Sequence, residues 1–165
     1  MTGAIALLAF VTCQRLVELW IARRNLVRLQ SEGAFEVGRA HYPWIVAMHA
    51  AWLAGLWWLA WNRSLEPLWL GAFAILQVLR IWVLATLGKR FTTRVLVVPG
   101  ERLVRSGPYR FLRHPNYAVV VGEIAVLPLV FGLWAFAAVF STLNLIALTV
   151  RIRTENRALA GLRRD

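Results

Sequence analysis

A dense cluster of aromatic, basic and amide residues occupies positions 107–117, where a basic segment meets an apolar one. Pro115 is well suited to the first position of a helix, which places His114 near the N-cap, beside backbone N–H groups without helical partners. Such a helix end attracts carboxylate or phosphate groups, and the rings of Tyr109 and Tyr117 could hold a cation. The cluster is therefore either a site for a zwitterionic ligand or an interfacial anchor whose arginines contact lipid headgroups.

A second cluster follows the last apolar run of the chain. Arg151 and Glu155 are four residues apart and so share one face of a helix. An exposed salt bridge would account for this pair by itself. However, Arg151 directly follows one apolar run and His114 directly precedes another, so both lie at the same depth if these runs cross a membrane. We therefore expect the two clusters to line one pocket.

Charged side chains also occur within the apolar runs, where each needs a specific reason because burial of a charge in lipid is costly. Arg15 and Glu18 are three residues apart and could form an ion pair on one helix. Arg80 could extend to the interface or reach into a site. Glu123 has no charged neighbour three or four residues away. It must pair across helices, take up a proton or face a cavity.

The apolar runs themselves predict a membrane protein. Hydrophobic residues make up 59% of the 165 residues, against about 45–50% in soluble domains. A hydrocarbon core takes about 20 helical residues to cross, and the predicted transmembrane helices cover residues 2–21, 43–61, 67–88, 116–131 and 133–150. The last two form a helical hairpin, followed by a tail helix over 151–162. We expect a single all-α integral membrane domain over residues 1–165, with about five transmembrane helices and a cytoplasmic pocket.

The distribution of basic residues predicts the orientation. Sixteen of the 19 Lys and Arg residues fall in segments 22–42, 89–113 and 151–165, whereas the two opposite turns contain only Arg63. By the positive-inside rule these three segments are cytoplasmic, so the N-terminus lies outside a plasma (inner) membrane and the C-terminus inside. The net charge of +11 is explained in this way. Nucleic-acid binding is not expected, since it would require a basic face on a soluble fold.

Cysteine and histidine usage excludes two further classes of site. Cys13 is the single cysteine, so a disulfide framework within the chain is impossible. His41, His49 and His114 are widely separated, and no Cys/His/acid spacing fits a closed metal site. No metal is expected, and the sequence leaves the oligomeric state undetermined.

The run GPYRFLRHPNY at 107–117, the apolar hairpin after it and RIRTE at 151–155 together resemble the isoprenylcysteine carboxyl methyltransferase family. The stretch LGKRFTTRVLVVPGERLVRSGPYR at 87–110 fits the same resemblance. RRN at 23–25 and AHYP at 40–43 are similar to a small prokaryotic branch of this family. Members of that branch are thought to methylate lipid-like phenols as well as, or instead of, prenylcysteine.

The resemblance implies S-adenosylmethionine as the cofactor, bound on the cytoplasmic side. The positions that match the family's cofactor contacts are Glu101, Arg102, Leu103, Val104, Tyr109, His114, Pro115, Asn116 and Tyr117. Arg151 matches the arginine that holds the acceptor, and Glu155 matches the acid close to cofactor and acceptor. Two departures are Glu101, where family members often have histidine, and Asn156, where they often have a second acid.

The implied function is methyl transfer to a lipophilic or prenylated acceptor that enters from the bilayer. A carboxylate acceptor is already ionised, with a pKa of about 4, and Arg151 could hold it. A phenol, with a pKa of about 10, would gain from a base such as Glu123, Glu155 or His114. An unpaired Glu123 would favour this hydroxyl acceptor, and Arg80 is a further candidate for substrate contact. The alternatives are a non-enzymatic membrane binding or assembly protein and an NADPH-dependent sterol-type reductase.

Overall fold

The computed structural model describes residues 2–100 and 104–160, which form five long or medium α-helices and one small sheet. The elements in chain order are α1 (Thr2–Ser31), β1 (Phe35–Val37), α2 (Tyr42–Ala60), α3 (Pro67–Leu87), β2 (Val95–Val97), α4 (Pro115–Val130) and α5 (Trp134–Ala160). In this part of the chain, α1, α2, α3 and α5 are long and apolar enough to cross a membrane, and α4 is a shorter apolar helix of 16 residues. The predicted all-α membrane fold is confirmed.

Two helices extend further than the sequence pattern predicts. α1 continues through the basic residues after Ile21 to Ser31, and α5 continues through the predicted tail to Ala160 as one helix. At the end of α1 the Asn25 amide donates hydrogen bonds to the backbone carbonyls of Gly88 and Phe91, at 3.2 and 2.8 Å. This contact fixes the end of α1 against the segment that follows α3. The tail-helix positions 161–162 lie outside the described residues.

The two ends of the helix bundle carry different sets of connections. At one end, the backbone N–H of Glu66 donates to the carbonyl of Val130 at 2.8 Å, which joins the α2–α3 turn to the α4–α5 turn. Gly3 packs beside Leu65 at the same end. At the other end lie the segments 32–41, 88–100 and 104–114 and the last turns of α5. The described parts of the three basic segments are therefore brought together, as the predicted alternation of helices requires.

The core of the bundle is apolar and lies towards the end formed by the two short turns. Leu8 of α1, Leu56 of α2 and Leu127 of α4 are completely buried, and Trp52 and Phe131 pack in the same cluster. The outward faces of the helices are also apolar, with residues such as Trp58, Ile75 and Ile146 largely exposed. Exposed apolar surface on all sides is suited to lipid contact.

A two-stranded antiparallel sheet lies at the opposite end and was not anticipated by the helical prediction. β1 pairs with β2 through the residue pairs Phe35–Val97, Glu36–Leu96 and Val37–Val95. Both strands are only three residues long, and β2 is rich in valine, which favours extended structure. The sheet connects the α1–α2 segment to the long segment between α3 and α4.

Candidate functional site

An open cavity of about 760 Å³ lies at the end of the bundle where the basic segments meet. Its walls come from β2, from the turn at Gly107–Arg110, from the first residues of α4 and from the last turns of α5. The residues that line it and belong to the predicted site are Val104, Tyr109, His114, Asn116, Tyr117, Arg151 and Glu155. Its size lies within the range of about 300–1,000 Å³ that is usual for small-molecule sites.

The start of α4 presents His114 and Tyr117 to the cavity. His114 is the N-cap residue and Pro115 the first helical residue, as the sequence predicts. The His114 and Tyr117 rings are stacked, with centroids 5.3 Å apart and planes 17° apart. Among the described residues, the buried His114 Nε2 and Asn116 Oδ1 have no hydrogen-bond partner. These two buried polar atoms at one helix N-terminus are available to hydrogen-bond a ligand or ordered water.

A hydrogen-bonded network connects this helix start to α5. The Tyr117 hydroxyl donates to Glu155 Oε2, and Arg151 Nε donates to the same hydroxyl oxygen at 2.8 Å. His114 Nδ1 lies 3.8 Å from Glu155 Oε1, and Arg151 Cζ lies 5.4 Å from the centre of the Tyr117 ring. The two sequence clusters therefore meet in one arrangement of four side chains.

Tyr109 lines the cavity from the turn at Gly107–Arg110. Burial raises the pKa of its hydroxyl from the ordinary 10.0 to about 12, and the nearby Glu155 carboxylate contributes in the same direction. The hydroxyl therefore stays protonated at neutral pH and can donate a hydrogen bond as well as offering an aromatic face.

Not every predicted site residue lines this cavity. Glu101, Arg102 and Leu103 lie outside the described residues. Pro115 is buried in the first turn of α4 and is not part of the cavity wall. Arg80 and Glu123 are buried deeper in the bundle, where they contact each other.

Arg80 and Glu123 belong to a buried charge cluster that joins α1, α3 and α4. Glu123 Oε2 accepts from Arg80 at 2.6 Å and from Arg15 at 2.7 Å, and its other oxygen accepts from Gln77 at 2.8 Å. Arg80 also donates to both carboxylate oxygens of Glu18, which pairs with Arg15 at 3.0 Å. Glu123 thus pairs across helices, the first of the three possibilities, and the Arg15–Glu18 pair forms as expected.

A group of four residues, which we call the brace, was missed by sequence reasoning: Glu36, Tyr42, Thr93 and Arg94. Arg94 lines the cavity and donates through Nη1 to both Glu36 carboxylate oxygens, at 2.9 and 2.8 Å. The Tyr42 hydroxyl shares a 2.9 Å hydrogen bond with the Thr93 hydroxyl, and the Arg94 guanidinium lies 4.5 Å from the centre of the Tyr42 ring. The contacts of the brace join residues 51 and 58 positions apart, and no local sequence pattern predicts them.

The cavity is strongly basic. Its lining includes five arginines besides Arg151, namely Arg90, Arg94, Arg105, Arg110 and Arg113, and one acidic side chain, Glu155. Within residues 2–100 and 104–160, no group of three His, Cys, Asp or Glu side chains is placed to hold a metal ion. An anionic group on a ligand is therefore favoured by the surrounding field.

Comparison with known proteins gives a family and two full-length relatives. The model of the isoprenylcysteine carboxyl methyltransferase (ICMT) family matches residues 69–161. The "Uncharacterized protein YpbQ" of Bacillus subtilis (strain 168) is 40% identical, with 93% of this chain and 94% of the relative covered. An "Uncharacterized protein" of Haemophilus influenzae (strain ATCC 51907 / DSM 11121 / KW20 / Rd) is 25% identical, with 93% of each covered. No solved structure gives a significant match.

Proposed function

This chain belongs to the isoprenylcysteine carboxyl methyltransferase family, whose model matches residues 69–161. We propose that it is a membrane methyltransferase that transfers a methyl group from S-adenosylmethionine to an oxygen of a lipophilic acceptor. The observation that carries this proposal is the convergence of His114, Tyr117, Arg151 and Glu155 in one cavity. Two of these residues lie at the start of α4 and two lie in the last turns of α5. Such a set from separate helix ends is unnecessary for an interfacial anchor alone.

The cavity residues fit the proposed cofactor. S-adenosylmethionine carries an amino acid group, a cationic sulfur and a nucleoside, and so combines hydrogen-bond donors, an anion and a cation. The His114 Nε2 and Asn116 Oδ1 atoms provide polar partners, the Tyr109 ring provides a face for a cation, and the basic wall favours a carboxylate. When bound, this cofactor supplies a methyl group that its own positive charge activates.

The protein's remaining task is to hold the acceptor and exclude water. We assign acceptor binding to Arg151, whose guanidinium lies between α4 and β2, and we place Glu155 close to both ligands. When the acceptor oxygen is held in line with the methyl group, a bimolecular reaction becomes effectively unimolecular. This change supplies a large part of the rate acceleration. The acceptor's apolar part would remain in the bilayer beside the exposed apolar faces of the helices.

The acceptor is either a carboxylate, as in isoprenylcysteine, or a phenolic hydroxyl of an alkyl lipid. A carboxylate needs no base, whereas a phenol does. Glu123 is not unpaired, since it accepts three hydrogen bonds within the buried charge cluster, and it therefore does not favour a phenol. Glu155 and His114 are the base candidates that line the cavity.

We also propose the setting in which the reaction occurs. Residues 1–165 form one membrane domain in the plasma (inner) membrane, with the cavity and the C-terminus in the cytoplasm and the N-terminus outside. The clustering of the basic segments at the cavity end supports this orientation. A water-soluble cofactor then enters from the cytosol and a lipophilic acceptor from the membrane.

Calorimetric titration of the purified protein with S-adenosylmethionine tests the proposal. We expect micromolar-range binding to the unmodified chain and a loss of affinity of about tenfold or more in His114→Ala, because one side chain of the polar helix start is removed. Phe111→Ala is the matched control, since Phe111 lies in the same loop and is 76% exposed.

Each outcome has a definite meaning. Weaker binding in His114→Ala but not in Phe111→Ala supports the cofactor position, and panels of prenylcysteine and alkyl-phenol acceptors then identify the substrate. Absence of binding to a well-folded unmodified protein would refute the methyltransferase proposal. It would favour a membrane binding or assembly role, or a reductase, for which NADPH titration is the next measurement.

A further inference from the structure

Arg151 is held from two sides before any ligand arrives. Its Nε donates to the Tyr117 hydroxyl at 2.8 Å, and its Nη2 donates to the backbone carbonyl of Thr93 at 2.7 Å. Tyr117 lies on α4, within the segment matched by the family model. The Thr93 carbonyl belongs to the backbone segment just before β2. The orientation of the Arg151 guanidinium therefore depends on the position of residues 93–94.

The brace holds the backbone of residues 93–94 in place. Thr93 is bonded through its hydroxyl to the Tyr42 hydroxyl at 2.9 Å. The next residue, Arg94, lies over the Tyr42 ring and donates to both oxygens of Glu36. Glu36 is in β1 and Tyr42 is the first residue of α2. Residues from the first third of the chain therefore hold the backbone atom that orients Arg151.

The Glu36–Arg94 pair differs from an ordinary surface salt bridge. The Glu36 side chain is 4% exposed and that of Arg94 31%, whereas the Arg28–Glu32 pair at the same end of the bundle has side chains 37% and 48% exposed. Exposed ion pairs contribute little to the stability of a protein, because water screens the two charges and two mobile side chains must be ordered. A buried carboxylate such as that of Glu36 loses more free energy than an exposed one when its partner is removed, so the Glu36–Arg94 pair stays formed.

We propose that Glu36 and Tyr42 are positioning residues for Arg151 and act on acceptor binding through Thr93 and Arg94. This inference rests on the proposed function, in which Arg151 holds the acceptor. An arginine that is already oriented loses less conformational freedom when a ligand binds. We therefore expect the brace to affect acceptor binding and to leave the cofactor contacts of His114 and Asn116 at the start of α4 unchanged.

The test removes the two ends of one hydrogen bond separately and together. Tyr42→Phe keeps the ring beneath Arg94, and Thr93→Val keeps the backbone carbonyl and the shape of the side chain. We expect each variant to raise the acceptor KM by about two- to tenfold, as for one hydrogen bond, with kcat and the affinity for S-adenosylmethionine unchanged. The double variant should be no worse than either single one, because both remove the same contact.

Glu36→Gln provides a second test with a matched control. It should raise the acceptor KM in the same way, whereas Glu32→Gln, which removes the carboxylate of the exposed pair, should leave it unchanged. Acceptor KM values within twofold of the unmodified protein in Tyr42→Phe, Thr93→Val and Glu36→Gln would overturn the proposal. Equal weakening of cofactor binding in these variants would also overturn it, because that result indicates general damage to the cavity.

Hydrogen exchange separates failure of the brace from failure of the proposed function. If the unmodified protein binds no S-adenosylmethionine, the proposed function fails, and backbone amide exchange of Val95–Val97 then decides about the brace. Faster exchange of β2 in both Tyr42→Phe and Thr93→Val, with no further increase in the double variant, supports the brace. Exchange at the rate of the unmodified protein refutes it.

Discussion

The guanidinium of Arg151 satisfies two acceptors on different elements, a hydroxyl on α4 and a backbone carbonyl before β2. Arginine has five N–H donors in a planar fork, so it can keep both contacts and still offer donors to a ligand. A lysine ammonium at the same place is a compact charge on a flexible stem. It cannot reach both acceptors with the same geometry.

Arg151→Lys should therefore lower the acceptor kcat/KM by about tenfold or more, since two hydrogen bonds and a bidentate donor set are lost together. Steady-state kinetics with the acceptor identified in the panels measures this. Arg153→Lys is the control, because Arg153 is two residues away and exposed. Unchanged kinetics in Arg151→Lys would exclude Arg151 from acceptor binding.

The sequence indicated the side chains that flank apolar runs, but not the side chains whose contacts join segments distant in the chain. His114, Tyr117, Arg151 and Glu155 lie next to the ends of apolar runs, where their types and spacing predict a ligand site. Glu36 contacts a residue 58 positions away, and no local pattern predicts such a pair. Roles for the residues that the sequence indicated stay predictions until ligand binding is measured.

Among the secondary-structure elements, the turn at Gly107–Arg110 determines where the start of α4 lies. Gly107 has φ of +54°, and a Cβ at this position would overlap the Thr86 hydroxyl of α3. The glycine therefore permits both the backbone conformation and the close approach of the turn to α3. The loop that ends at His114 is fixed to the bundle at this point.

Gly107→Ala should destabilise the protein by about 1–3 kcal/mol from backbone strain and weaken S-adenosylmethionine binding, because the turn must move away from α3. Gly71→Ala is the control: Gly71 lies in α3 and a Cβ there meets open space. Thermal unfolding and calorimetry in detergent measure both effects. Equal unfolding temperatures for the two variants would contradict the tight approach of the turn to α3.

The buried charge cluster joins three helices by ion pairs in the apolar interior. Glu123 is 1% exposed and Arg80 4% exposed. Loss of one carboxylate leaves two arginines to share Glu18, and an unpaired buried charge is strongly unfavourable. The buried charge cluster therefore stabilises the packing of α1, α3 and α4 against one another.

Glu123→Gln is expected to lower the stability of the bundle by about 3 kcal/mol, the range found for breaking a buried ion pair. Glu66→Gln, at an exposed glutamate in the α2–α3 turn, should have little effect. Unfolding temperature and methyl transfer are measured together. A Glu123→Gln protein of full stability but without activity would instead support a role of Glu123 as the base.

For the whole molecule, the orientation in the membrane is a prediction that impermeant thiol reagents can test. In a Cys13→Ser background, Asn62→Cys places an exposed thiol at the two-turn end and Lys89→Cys places one at the cavity end. We expect labelling of Asn62→Cys in intact cells and of Lys89→Cys only after permeabilisation. The reverse pattern would place the cavity outside.

The overall architecture could be predicted because hydropathy and charge act over whole helices. Runs of apolar residues predicted the helices, and the distribution of arginines predicted that the basic segments lie at one end of the bundle. Helix ends were less predictable: α1 runs to Ser31 because Asn25 is bonded to the segment after α3, a tertiary contact. The small sheet also depends on pairing between residues 35–37 and 95–97, which is distant in sequence.

The order of charges along the buried cluster bears on how the chain is inserted during synthesis. α1 enters with Arg15 and Glu18 already paired on one helix, so it adds no net charge to the hydrocarbon. α3 then brings Arg80, whose positive charge has no full counterpart until α4 delivers Glu123. Before α4 is present, the cluster would hold two arginines and one glutamate, whereas completion of the hairpin adds Glu123 and restores electroneutrality.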